Sequence, residues 1–173
     1  GPGSGESGPG LYRVEATSGP GGVVRIMNSP TPPAFRERVK IGEQNLYTRA
    51  KEIVGDRDPR AHEFSIQMRA LDNDRSGSGL GLASMVALVG SLLEKNTKGG
   101  LVVVGQLNLG GSVEMIPNPV AIAEIAAEKR AAVLLMPVAT RRQLNDLPDE
   151  IWTKLRIEFY ADPVDAVFKA LVE

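Results

Sequence analysis

The chain has 173 residues, 42% of them apolar, and a formal net charge of −1 from 20 basic and 21 acidic side chains. That length and apolar share suit one domain with a continuous core, and the interspersed charges leave no basic field for neutralising a phosphate backbone. The absence of cysteine excludes disulfides, thiolate zinc clusters and cysteine nucleophiles, and a lone His62 cannot build a metal site.

Gly1 to Ser4 read as a remnant of recombinant expression, and residues 5–10 as a glycine-rich flexible lead-in, leaving 11–173 as the expected domain. No run approaches the roughly 20 apolar residues of a membrane span and no signal pattern opens the chain, so a soluble cytoplasmic protein is expected. Leu11 to Ala16 and Val23 to Met27 are β-prone runs around Ser18-Gly19-Pro20-Gly21-Gly22, which predicts a hairpin of two antiparallel strands. Thr31 before Pro32 matches a helix cap, and Phe35, Val39, Leu46, Ala50 and Ile53 keep helical spacing up to Gly55. His62 then starts a strand in which Phe64, Ile66, Met68 and Ala70 alternate with polar residues; its imidazole reads as packed or solvent-facing rather than as a triad base.

After the polar segment from Asp72 to Gly79, Leu80 to Leu93 is apolar or small almost throughout, which predicts a helix buried nearly all round. Leu101 to Val104 suits a central strand, turned back by Gly110-Gly111 into Ser112 to Met115. Pro119 opens an Ala-rich helix ending near Arg130, Ala132 to Met136 reads as a buried strand, and Thr140 can cap a short helix. Leu155, Ile157 and Phe159 alternate as a last strand, and Asp162-Pro163 caps and starts the last helix. Trp152 and the exposed side of the Phe35 to Ile53 helix are candidates for a subunit contact, although an isolated Trp more often reads as ordinary packing. The alternation of strands and helices predicts an α/β fold with a mixed sheet.

The strand, glycine-serine loop and buried helix around Asp74 to Gly81 can present either a nucleophilic serine or backbone N–H groups at a helix start. Gly77-Ser78-Gly79-Leu80-Gly81 lacks the lysine and hydroxyl of a phosphate loop, and no acidic residue follows at the position a dinucleotide fold needs. Two readings stay open. Either Ser78 is a nucleophile, or the glycines merely let helix and strand approach while Ser76 or Ser78 caps the helix.

Gly77 to Gly81 leading into Ala83 to Leu93, followed by Val103-Val104-Gly105-Gln106-Leu107-Asn108-Leu109-Gly110-Gly111-Ser112-Val113, resembles the proteolytic domain of Lon proteases. Ala132 to Pro137, Leu147-Pro148-Asp149-Glu150 and Val164 to Leu171 extend the resemblance to about two-thirds of the chain. Gly5 to Gly8, Asn118-Pro119-Val120 and the run from Phe159 to Val167 are similar to the Lon-like C-terminal domain of the BREX phage-defence ATPases. The resemblance implies the Lon proteolytic-domain fold, ribosomal-protein-S5 domain 2-like, as the tail of an AAA+ machine that assembles into a hexamer-based ring. ATP and Mg²⁺ then belong to the ATPase domain, with no cofactor or metal here, and DNA is engaged through other parts.

Lon proteases use a serine and a lysine. Setting Gly105 and Leu109 to Val113 against the corresponding Lon glycine and strand without a gap places Gly79 at the serine and Ile122 at the lysine. Ser78 lies one position away. Val120, Ala121 and Ala123 offer no amine, and Lys129 comes roughly 10 Å further along a helix axis. A serine hydroxyl must hand its proton to a base, and isoleucine cannot accept one. The implied domain is therefore a vestigial, non-catalytic Lon-like module serving ring assembly and positioning. The alternative is an ATP-dependent Lon-type serine endopeptidase using Ser78 with a base from Lys51, Lys98, Lys129 or a neighbouring subunit. A third possibility, a regulatory ligand-binding domain, needs a concave pocket with convergent polar groups.

Overall fold

The computed structural model describes residues 11–71 and 77–173. Strand β1 (Tyr12–Pro20) runs antiparallel to β3 (His62–Ala70) along its full length, from Tyr12 opposite Ala70 to Pro20 opposite His62. Strand β2 (Val24–Ile26) lies parallel to β3 on its other side, giving the order β1-β3-β2. The expected hairpin is thus split by β3. The glycines explain the difference: a Cβ on Gly21, whose φ is +142°, would stand 2.7 Å from the Glu63 Cβ, and one on Gly22 would stand 3.2 Å from the Arg60 carbonyl. The glycine segment crosses closely over the start of β3 instead of forming a tight turn.

Phe64, Ile66 and Met68 of β3 point into the core, as their alternation requires. Past β2, the Asn28 side chain continues the sheet by donating to the Met68 carbonyl at 2.9 Å and accepting from its N–H at 2.8 Å. Thr31 does not cap the helix that follows; its hydroxyl donates to the Asn28 carbonyl at 2.7 Å, and Pro32 occupies the cap position of α1 (Pro33–Thr48). The expected single helix breaks at Arg49, where φ is −112° and ψ is 15°, and resumes as α2 (Ala50–Val54), ending at Gly55.

Helix α3 (Leu80–Leu93) is buried at every position except Ser91 and Leu93. It packs against α1, β1 and α6 (Pro163–Ala170). Its all-round apolar character is what a helix sandwiched between a sheet and two other helices needs.

Strand β4 (Leu101–Val103) pairs in parallel with β7 (Val133–Pro137), which pairs in parallel with β8 (Arg156–Tyr160). The Gly110-Gly111 turn does not fold β4 back. It joins the short strands β5 (Gln106–Leu107) and β6 (Val113–Glu114) in a separate hairpin, because the fully buried Val102 pairs with the fully buried Leu134 in the core. Helix α4 (Pro119–Glu128) and α5 (Asp149–Lys154) pack with this sheet around a second apolar cluster that includes Ile122, Leu134, Leu144 and Ile151. Thr140 sits inside a 3₁₀ segment (Val138–Asp146), its hydroxyl donating to the Pro137 carbonyl at 2.7 Å rather than capping a helix end. Asp162 does cap α6, its carboxylate accepting from the Asp165 N–H at 2.8 Å.

Tyr160 joins the two apolar clusters. The side chain belongs to the first, while its hydroxyl donates to the carbonyl of Val104 in the second at 2.7 Å. Gly105 takes φ +144° beside it, and a Cβ there would overlap the Tyr160 hydroxyl. Burial alone pushes the phenol's pKa well above its ordinary value.

Candidate functional site

Among the described residues of the glycine-serine loop, Gly77 takes φ +69° and accepts from the Leu80 N–H at 2.9 Å, Ser78 is half-buried, and Gly79 immediately precedes α3. Asp72 to Ser76, including the alternative cap Ser76, lie outside the described residues. The glycines have steric reasons to be there. A Cβ on Gly77 would stand 2.9 Å from the Phe35 ring, one on Gly81 would stand 3.0 Å from the Arg38 carbonyl, and one on Gly42 would overlap the Gly81 carbonyl. Helix α1 therefore runs close beside α3 in the same direction, with glycines at each near approach.

The β5–β6 hairpin closes the other side. Leu107 faces Gly81, and the buried Asn45 of α1 donates to the Asn108 carbonyl at 3.1 Å and to the Ile41 carbonyl at 2.9 Å. The Arg49 guanidinium approaches the Gly111 carbonyl at 3.5 Å. A basic side chain does touch the glycine segment: the Arg38 Cγ lies 3.4 Å from where a Gly77 Cβ would stand. A guanidinium keeps its proton at any physiological pH and so cannot serve as a base. Arg38 carries no sequence motif that would have marked it.

Ile122, at the position matched to the Lon lysine, lies in the first turns of α4 with 2% of its surface exposed, packed in the second apolar cluster. The lysines named as possible replacements sit elsewhere. Lys98 pairs with Glu158 at 3.2 Å, and its backbone N–H bonds the Ala170 carbonyl. Lys51 is exposed on α2, beyond the end of α1. Lys129 is exposed past the C-terminal end of α4. The geometry assembles the loop, α1 and the hairpin, and Lys51, Lys98 and Lys129 are carried by other segments of the chain.

Among the described residues no group of three or more His, Asp or Glu side chains could hold a metal ion, and no helix is long and apolar enough to cross a membrane. His62 is partly buried at the start of β3, its ring 6.2 Å from that of Phe64. Trp152 is 44% exposed on α5 and so departs from the packed reading.

A model of the Lon protease (S16) C-terminal proteolytic domain matches residues 6–173. The chain is 29% identical over 163 residues to the Lon-like protease BrxL of Escherichia coli O9:H4 (strain HS), covering 94% of this chain and 24% of that protein. It is 29% identical over 121 residues to the Lon-like protease BrxL of Bacillus cereus (strain H3081.97), covering 70% of this chain and 18% of that one. Against the Lon protease of Methylocella silvestris the identity is 25% over 166 residues, covering 92% of this chain and 20% of the relative. The chain thus spans a quarter or less of the length of these relatives.

Proposed function

Since the chain belongs to the Lon protease C-terminal proteolytic-domain family, we propose that it is a Lon-related domain of a BREX-type defence ATPase that keeps the family's frame and has lost the proton-accepting side chain. The observation that carries this reading is the burial of Ile122, an aliphatic side chain 2% exposed, which an ungapped match sets against the Lon lysine. A serine hydroxyl becomes a nucleophile only by handing its proton to a base, and general-base assistance, which an isoleucine cannot give, is typically worth about 10²–10⁴ in rate. Gly79 at the nucleophile position points the same way.

The role left to such a domain is to assemble and position the AAA+ ring through its surfaces. ATP and Mg²⁺ then act in the ATPase portion, and DNA is engaged there or in other parts of the parent protein. The test uses the full-length, ring-forming protein with ATP and casein, as wild type and as Ser78→Ala. The expected result is the same background turnover in both. Cleavage that disappears in Ser78→Ala would establish the endopeptidase reading instead.

A further inference from the structure

The face of the β1-β3-β2 sheet turned away from the core carries an uneven distribution of charge. Arg13 and Arg69 stand directly opposite each other across the β1–β3 ladder, so their side chains leave the same face one strand spacing apart. On the next pair of that face Glu15 stands opposite Gln67, and further along Arg25 is held by Glu63 at 2.7 Å. Arg25 therefore has its carboxylate. Among the described residues neither Arg13 nor Arg69 has an ion-pair partner, and the Arg13 Nε is shielded from solvent with no acceptor.

Like charges directly opposite in a sheet are destabilising, and a shielded N–H without an acceptor adds to that cost. Both penalties vanish when one oxyanion bridges the two guanidiniums, whose planar forks match carboxylate and phosphate oxygens. A depression of about 370 Å³ lined by Arg13, Glu15, Gln67, Met68 and Arg69 lies at the pair. From this juxtaposition we propose that Arg13 and Arg69 form a binding site for one compact oxyanion, a phosphate or a carboxylate. Glu15 and Glu63 on the same face limit the ligand's size, because an extended polyanion laid along the sheet would meet them. The inference does not depend on whether Ser78 is reactive.

The test is thermal unfolding of the chain at constant ionic strength with inorganic phosphate, with glutarate, with a single-stranded oligonucleotide, or with chloride alone. The variants are wild type, Arg69→Gln and Arg13→Gln. Wild type is expected to gain Tm with phosphate, glutarate or both, and which of them acts identifies the source of the oxyanion. Either substitution should weaken that anion's apparent affinity about tenfold or more. In chloride, Arg69→Gln should melt higher than wild type, because the repulsion is gone. An anion response that persists unchanged in Arg69→Gln, no response of wild type to either small anion, or a response to the oligonucleotide alone would each overturn the proposal.

Discussion

Helix α3 begins on glycines pressed against α1, whereas helix α4 begins on a proline followed by aliphatic residues facing a core. These are the two places where the resemblance to Lon proteases puts a serine and a lysine. Around the first, Gly77 and Gly81 bring the backbone close to Phe35 and Arg38 of α1; at the second, the Ile122 side chain packs in an apolar cluster. The comparison teaches that the steric demands of the glycine loop and of the α4 core can be met without proton transfer.

The contrast can be broken most forcefully at Ile122. Truncation to alanine in a core that cannot collapse should cost about 2–5 kcal/mol, measured by denaturant unfolding at constant m-value. A loss under about 0.5 kcal/mol would mean that Ile122 is not packed as described. At α3 the matching probe is Gly42→Ala, where the added methyl overlaps the Gly81 carbonyl. Overpacking of about 1–3 kcal/mol should outweigh the gain of about 1 kcal/mol in helix propensity, so unfolding should come at lower denaturant.

Tyr160→Phe tests the link between the two cores. It leaves the buried Val104 carbonyl without its donor, at a cost of about 1–3 kcal/mol. The same variant has a pH signature. Burial raises the folded-state pKa of Tyr160 above the unfolded value of about 10, so the neutral phenol's contribution is complete below pH 10 and fades as pH climbs beyond it. Wild type should lose stability above pH 10 more steeply than Tyr160→Phe; parallel curves would remove Tyr160 as the cause. The smallest effect is expected far from both helix starts, at the α6 cap, where Asp162→Ala should cost about 1 kcal/mol of unfolding free energy.

Much of this was legible in the sequence because it follows from periodicity and capping. The all-round apolar run from Leu80 to Leu93 could only be a sandwiched helix, and Asp162-Pro163 capped as such a pair should. What stayed hidden depends on neighbours distant in the chain. Nothing local to Ser18 to Gly22 reveals that β3 enters between β1 and β2, since the glycines serve a crossing as well as a turn. Gly105 could be matched to a Lon glycine, but the Tyr160 hydroxyl that leaves no room for a Cβ there is distant in the chain. The candidate site divides in the same way. The glycine loop could be seen by matching motifs, while Arg38 at Gly77 and the Arg13–Arg69 juxtaposition need the helix packing and the strand register.

The central claim concerns the reactivity of one hydroxyl, and the direct measurement is its capture. Treating the ATP-bound full-length protein with a fluorophosphonate and mapping adducts by mass spectrometry reads nucleophilicity without requiring a substrate. The account expects Ser78 to remain unmodified when an authentic Lon protease treated in parallel is labelled at its serine. A stoichiometric adduct on Ser78 would show that a base reaches it, and the account of Ile122 as the lost amine would be wrong.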